Sequence, residues 1–482
     1  METQPQLQVT GYRGIWGKSL TPEIVKKFTN AFGQFTKEDV KKSASWRTTI
    51  LIGRDGRESG KEITQIIIEE LKKINITAID GDILPTPTII FTVKKHNYDG
   101  AVIITASHNP TEYNGLKFVT KEALLTNEAQ VEKIKKYIEQ NVSQRNIPSK
   151  TAHNFLLKIC YARLASLRNA FRRNISLRDA HNFPKEHADA IIAHVNVEAI
   201  RNRKFKVAAD MINASACVID PYLFEQFNAE LIPLNNIPNG QFAHRPEPAV
   251  ENLEDIGQLV KEVGADIGFA HDPDADRVVI VDENGKVISE DYTLAFGVEN
   301  ILSKNPGENV VMNLSSSSMV SDIVEKYNGK CFRTKVGEAN VLEGIQKYGA
   351  MIGGEGTSGV IYPAINTSRD GFVSLSLALE LLAERNQTVS ECVATLPKYF
   401  IKRDKWPVSG KNLNEIYEKL KIHFKDAQIN EIDGLRLDFD DKSWIHLRPS
   451  ITEPIIRLFG EAKTEDRVNA IFNEAKLTLG SE

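Results

Sequence analysis

Short apolar runs alternate with helix-spaced apolar stripes along this chain, and that alternation restricts its fold more than any other feature. Thr49 to Ile52 is strand-like. Ile63, Ile66, Ile67 and Leu71 then recur at helical spacing, and Ala101 to Ile104 is the next apolar run. Strands separated by helices predict a mostly parallel α/β sheet. The pattern returns with runs at Phe205 to Ala209, Ala265 to Ala270 and Asn309 to Leu314, while Leu375, Leu379 and Leu382 mark a core helix. The 482 residues leave room for three or four domains, at roughly 100–200 residues each. Nothing in the sequence alone shows that the successive units are copies of one another.

Ligands of α/β sheets bind at the carboxyl ends of strands, so the loops after these runs are the places to read for chemistry. The run Ala101 to Ile104 ends in Thr105-Ala106-Ser107-His108-Asn109-Pro110. Ser107 there is placed for a reaction, although a serine in a turn is commonly only a turn residue. The run Ala265 to Ala270 ends in His271-Asp272-Pro273-Asp274-Ala275-Asp276-Arg277. Alternate residues of an extended segment share a face, so Asp272, Asp274 and Asp276 can converge. Three close carboxylates repel one another unless a cation lies between them, and hard oxygens suit Mg²⁺. An EF-hand is excluded because Arg277 stands where its sharp turn needs glycine and the flanks read as strands. Arg277 beside the carboxylates suits an anion shared by metal and guanidinium.

Three further segments carry recognisable chemistry. Gly11-Tyr12-Arg13-Gly14 brings an arginine into a glycine-punctuated loop. Glu355, Thr357 and Ser358 stand in the glycine-rich stretch Gly353 to Gly359, a set of groups that can pair with sugar hydroxyls. Arg448, Ser450 and Thr452 alternate before a strand and could cradle a phosphate with their backbone amides. Locally, Ser59 and Glu62 have capping-box spacing at the start of a helix.

Composition narrows the remaining classes. A net charge of −4 disfavours a general nucleic-acid binder. No apolar run approaches the ~20 residues of a membrane helix, and Met1 to Thr10 lacks the apolar core of a signal peptide. Cys160, Cys217, Cys331 and Cys392 are far apart, with no metal or disulfide spacing. The expectation is a cytoplasmic protein with buried free thiols. Gln140 to Arg178 holds eight Lys/Arg and no Asp or Glu. Cys160, Leu164, Leu167, Phe171 and Ile175 predict a basic amphipathic helix there, flanked by Pro148 and Pro184 as at a domain junction.

The motifs Thr105 to Pro110, Asp272 to Arg277 and Arg448 to Pro454 together resemble those of the α-D-phosphohexomutase superfamily, in order and spacing. Arg13, Tyr113 to Lys117, Pro246 to Pro248 and Arg369-Asp370-Gly371 extend the resemblance over residues 11 to about 475. It implies an α/β fold of four domains around a central cleft, three of them similar mixed α/β domains and the last a smaller α+β domain. The boundaries it suggests are 1–145 with the serine loop, 146–184 as a basic helical linker or insertion, 185–290 with the metal loop, 291–402 with the sugar loop, and 403–482 with the phosphate loop. It implies an isomerase that interconverts hexose 6-phosphate and hexose 1-phosphate through a phosphoserine and a bisphosphate. Phosphoglucosamine mutase is the first expectation, phosphomannomutase or phosphoglucomutase the alternative, and a non-catalytic sugar-phosphate-binding relative the reading of another class.

The same resemblance implies roles for single residues. Ser107 would carry the phosphate and be the fourth ligand of Mg²⁺ beside the three aspartates. Lys117 would be a general acid/base or phosphate contact, with Arg13, Arg277 and His108 also catalytic. Gly337 and Glu338 would join Glu355, Thr357 and Ser358 at the sugar. Ile451 and Arg457 would join Arg448, Ser450 and Thr452 at the phosphate. One Mg²⁺ per chain, a hexose 1,6-bisphosphate activator and a monomeric or dimeric state are the implied accessories. Ile451, Glu338 and the stretch Gly354 to Gly359 depart from the common pattern, the last being closer to a type found among phosphoglucosamine mutases. His271 is read as a residue behind the metal loop.

Overall fold

The computed structural model describes residues 7–8, 11–40, 48–144, 182–407, 412–449 and 455–478. The expected basic helix, with Cys160, lies outside them. The chain divides into two compact units: Met1–Ala190 with Met211–Tyr222 and Asn235–Glu247, and Ile191–Asp210 with Leu223–Leu234 and Pro248–Glu482.

The first unit holds strands β1 (Tyr12–Ile15), β2 (Thr49–Arg54), β3 (Thr77–Ile83), β4 (Gly100–Ile104) and β5 (Tyr113–Thr120), ordered β1-β5-β4-β2-β3. β2 runs parallel to β3 and β4, whereas β5 is antiparallel to β4 and β1. Side chains alternate faces along each strand, and both faces are apolar. Ile50, Ile52, Val102, Ile104 and Phe118 pack with Phe28, Phe32, Ile63 and Ile67 from the helices Pro22–Val40 and Gly60–Lys73. Leu51, Ala101, Ile103 and Val119 pack with Ile89, Ile90, Val93 and Phe183 from the helices Thr86–His96 and Phe183–Ile192. Burying both faces is why β2 and β4 read as continuous apolar runs rather than alternating ones.

The second unit holds three sheets. The first is β7-β6-β8-β9, from β6 (Lys206–Asp210), β7 (Glu230–Leu234), β8 (Ile267–His271) and β9 (Val278–Val281). The next is β11-β10-β12-β13, from β10 (Val310–Asn313), β11 (Cys331–Thr334), β12 (Ile352–Glu355) and β13 (Gly359–Ile361). Both have the order second, first, third, fourth, with the fourth strand antiparallel. Strands β3-β2-β4-β5 follow the same order, with β1 added at the edge. Three α/β sheets therefore share one topology that the sequence did not disclose. In each, the last hairpin carries a loop of interest: residues 105–112, 272–277 and 356–358.

The C-terminal sheet is antiparallel, β14-β18-β17-β16-β15, from β14 (Phe400–Pro407), β15 (Gln428–Asn430), β16 (Leu435–Asp438), β17 (Trp444–Pro449) and β18 (Ile455–Ala462). Ile445, Leu447, Leu435, Leu437 and Leu458 face the helices Leu413–His423 and Glu465–Thr478 in one core. Trp444, His446 and Arg448 alternate with them and point to the opposite face, where they are also buried. This is the smaller α+β unit expected.

Three local expectations change. Ser59 does not cap the helix Gly60–Lys73: its backbone is helical, and no side-chain cap bond forms. Its hydroxyl instead accepts from Asn114 Nδ2 at 2.9 Å, and Glu62 accepts from Trp16 Nε1 at 3.2 Å. Tertiary partners have taken both groups of the capping box. The 272–277 segment is a tight turn rather than extended chain, with Ala275 N donating to Asp272 O at 3.0 Å. Of the described cysteines only Cys392 is fully buried; Cys217 and Cys331 are partly exposed.

Candidate active site

The serine loop is built around a buried arginine. Arg57 follows β2 and is fully enclosed. Its Nη2 donates to Ser107 O at 2.6 Å and Asn109 O at 2.8 Å, and its Nη1 to Pro110 O at 2.6 Å and Tyr113 O at 3.1 Å. Its Nε donates to Asp55 Oδ2 at 2.9 Å. Asp55 Oδ2 also accepts from Thr105 Oγ1 at 2.6 Å, and Thr105 Oγ1 accepts from Ser107 N at 2.8 Å. One guanidinium thus donates to four carbonyls of the serine loop and its exit, a task its fork geometry suits.

Ser107 is held by this frame at φ 50, a left-handed conformation that costs a non-glycine residue of order 1 kcal/mol. Its Oγ lies 3.4 Å from His108 Nδ1. Arg13, on β1, reaches the same loop by donating from Nη1 to Asn109 Oδ1 at 3.0 Å. Lys117 is buried on β5, paired in register with Ile103 of β4. Gly115 is required beside it, since a Cβ there would come within 2.6 Å of the carbonyl oxygens of Thr105 and Tyr12.

In the second unit, the turn after β8 gathers Asp272, Asp274 and Asp276, all buried, with ligand-capable oxygens within 4.8 Å of one another. Burial and the neighbouring Asp276 push Asp272 up to about 7, against the pull of Arg277. Arg277 donates from Nε to Asp272 Oδ2 at 3.1 Å and approaches Asp276 Oδ1 at 3.6 Å. Ala275 takes the left-handed conformation here, at φ 52, and Ser358 does so in the third hairpin, at φ 67. Each of the three topologically equivalent hairpins therefore contains one non-glycine residue in that region.

Arg369, just before the helix Gly371–Arg385, joins the aspartate turn to the Gly353 to Gly359 stretch. Its Nη2 meets Asp276 Oδ2 at 2.5 Å, its Nη1 meets Glu355 Oε2 at 3.1 Å, and its Nε lies 3.4 Å from Glu338 Oε2. Glu355 Oε1 accepts from Asn313 Nδ2 and from Gly337 N, each at 2.8 Å. Gly359 must be glycine because a Cβ would sit 2.4 Å from Arg369 Cδ. Glu355, Glu338 and Gly337 are therefore one cluster with Asp276. Thr357 is half-buried, and Ser358 is fully buried with its hydroxyl making no hydrogen bond among the described residues. His271 is buried with its ring 5.2 Å from that of Phe372, behind the turn.

Arg448 is on β17, directly across from Arg457 of β18, and its Nη1 lies 3.8 Å from Asp433 Oδ2. It is 8% exposed, so it is no surface ion-pair residue. Ser450, Ile451 and Thr452 lie outside the described residues.

Comparison with known proteins agrees with this fold. Four domain descriptions match in series: phosphoglucomutase/phosphomannomutase alpha/beta/alpha domain I at residues 5–145, domain II at 185–285, domain III at 289–400 and the C-terminal domain at 404–477. A phosphoglucomutase/phosphomannomutase of Thermococcus kodakarensis is 34% identical over 95% of this chain and 94% of its own length. The chain belongs to the phosphohexomutase superfamily. A phosphoglucosamine/phosphogalactosamine mutase of Sulfurisphaera tokodaii is 32% identical, with 97% of each chain covered. In fold, a phosphoglucomutase/phosphomannomutase family protein from Burkholderia thailandensis superposes with a TM-score of 0.79 at 24% identity, over 99% of this chain and 98% of the other. Members of this superfamily are isomerases that act as intramolecular phosphotransferases, and the family is metal-dependent.

Two residues of this phosphohexomutase had no assigned role from sequence. Arg57 stands in the string Gly53 to Gly60, where only its proximity to a strand end signalled a site. Arg369 belongs to Arg369-Asp370-Gly371, which marked the family without revealing that its guanidinium binds two loops at once.

Proposed function

We propose that the protein interconverts hexose 6-phosphates and hexose 1-phosphates, with glucosamine phosphate as preferred substrate and Ser107 as phosphate carrier. The observation that carries this reading is the convergence of three buried carboxylates within 4.8 Å in the turn after β8, in a chain of phosphohexomutase lineage. Asp276 Oδ1 receives no hydrogen bond among the described residues, and buried like charges call for a counter-ion. The donor set, all hard oxygens on one turn, fits Mg²⁺. Bound there, a divalent cation would supply charge neutralisation for a transferring phosphoryl group.

The chain's own residues account for the rest. In each half-reaction the bond between Ser107 Oγ and phosphorus breaks or forms, while the bond from phosphorus to a sugar hydroxyl oxygen does the reverse. The sugar hydroxyl proton passes to a base in one direction and returns in the other, and Lys117 is the candidate group. Positioning dominates such transfers, and Arg57 holds the Ser107 carbonyl with the residue in its left-handed conformation. Glu355 and Glu338 supply acceptors for sugar hydroxyls, and Arg448 with Arg457 supplies positive charge for the non-reacting phosphate. The preference for an amino sugar is supported by the form of the Gly354 to Gly359 loop and by the Sulfurisphaera relative. The Thermococcus relative supports glucose or mannose phosphate as the second reading.

The test is a coupled assay with glucosamine, mannose and glucose 1-phosphates, each with a catalytic amount of its bisphosphate. Activity that needs Mg²⁺ and vanishes in Ser107→Ala, together with loss of the phosphoryl mass on the serine peptide, is expected. Undiminished turnover by Ser107→Ala would refute the carrier role.

A further inference from the structure

Asp433 occupies the turn before β16, away from every motif that marks the family. Its Oδ2 accepts from Val336 N at 2.9 Å and lies 3.8 Å from Arg448 Nη1. Val336 precedes Gly337, whose N–H is held by Glu355, and Glu338, which pairs with Arg369. One carboxylate thus touches both the loop that leads to the sugar cluster and the arginine of the C-terminal sheet.

The turn itself is fixed from behind. His446, on the same face of β17 as Arg448, contacts Asp433 O through Nε2 at 2.6 Å and Ser315 Oγ through Nδ1 at 3.0 Å. Ser315 follows β10, and its neighbours are tied to the same sheet. Trp444 Nε1 donates to Ser318 Oγ at 3.1 Å, and Glu461 Oε1 accepts from Ser318 N at 2.8 Å. The 315–318 loop is therefore stitched along one face of the C-terminal sheet, and Asp433 stands at the end of that seam. Gly434 lets the turn close, because a Cβ there would come within 2.9 Å of Arg448 Cα. Its φ of 78 is left-handed as well.

We propose that Asp433 is a positioning residue: it orients the Arg448 guanidinium and anchors the Val336–Glu338 loop, so that phosphate recognition and sugar recognition are set together. The inference rests on the reading of Arg448 as a phosphate ligand. Asp433 itself touches no reacting atom. A carboxylate near but not bidentate with the arginine leaves its remaining donors for a substrate phosphate.

Asp433→Asn separates the two contacts, because the amide oxygen can still accept from Val336 N while the charge opposite Arg448 is lost. The expected result is a KM for the hexose 1-phosphate raised about fivefold, with kcat within about twofold of the parent. In an Arg448→Ala background the same substitution should change KM by less than about 1.5-fold, since a residue acting through another has no effect once that other is gone. Asp433→Ala, which also frees Val336, should lower kcat in addition. An unchanged or lowered KM in Asp433→Asn, while Arg448→Ala alone raises KM, would overturn the inference and leave the Arg448 reading intact. Equal effects of Asp433→Asn in both backgrounds would overturn it too, marking a general loss of structure. If Arg448→Ala leaves KM unaltered, the reading of Arg448 fails and this inference fails with it.

Discussion

Arg369 Nη2 lies 2.5 Å from Asp276 Oδ2, which makes the aspartate turn and the Gly353 to Gly359 stretch two ends of one ion-pair chain. The same guanidinium holds Glu355 Oε2 at 3.1 Å. Arg369 meets these two carboxylates and approaches Glu338 from three separate nitrogens of one planar fork, an arrangement that the single ammonium of a lysine does not reproduce. Arg369→Lys is expected to fold and to lose at least about tenfold in kcat/KM, with a raised Mg²⁺ requirement. Steady-state rates across a Mg²⁺ titration, beside a thermal melt, check this. A variant with parental kinetics would show that the two loops are positioned without it.

Arg57 makes the second prediction. It is a fully buried charge that satisfies four carbonyls and one carboxylate. Removing it leaves Asp55 enclosed without its partner, a class of change that costs about 3–5 kcal/mol. Arg57→Ala is expected to lower the melting temperature markedly, and Ser107 should lose its phosphate occupancy because the loop no longer holds its left-handed conformation. Calorimetry and intact-mass measurement read the two effects separately. A stable variant with a fully phosphorylated serine would contradict the account.

These two arginines show what could and could not be read from the sequence. The first sheet's inner strand was legible because both of its faces are covered, so Ala101 to Ile104 appears as an unbroken apolar run, while Ile267 to Ala270 is a shorter one that follows Asp266. Ser107 and the three aspartates were legible because each follows such a run. The equivalence of the three hairpins was not, since it resides in strand order and in the left-handed residues Ser107, Ala275 and Ser358, which differ in type. The Ser59 and Glu62 spacing misled because Asn114 and Trp16 claimed both groups, and partners 55 and 46 residues away leave no local pattern. Arg57 and Arg369 act through long-range contacts, which no spacing rule encodes.

Asp274 gives a direct test of the cation. All three aspartates are buried in one turn. Asp274→Asn removes one anionic ligand while preserving size, so the Mg²⁺ concentration for half-maximal activity should rise by about tenfold or more. Activity that persists in the parent enzyme after exhaustive chelation would exclude the metal role.

The seam along the C-terminal sheet should be visible in the pH dependence of stability. His446 is enclosed between Asp433 O and Ser315 Oγ. Burial lowers its imidazole to about 4, with the Asp433 carbonyl opposing and Arg436 assisting, from an ordinary value of 6.5. The neutral ring can satisfy both contacts, donating from Nε2 and accepting at Nδ1. Because the folded value lies below the unfolded one, the unfolded chain binds more protons between those two values, and stability rises with pH across that interval. Acidification from pH 6.5 toward 4 should therefore cost stability through this group, and further acidification adds nothing more from it. His446→Gln removes the titration while keeping a donor and an acceptor. The variant is expected to be less stable than the parent at pH 7.5 but to lose less on going to pH 5, so that the two denaturation midpoints draw together. Urea titrations at the two pH values measure the difference. Parallel losses in both proteins would mean that His446 is not the group that charges on acid unfolding.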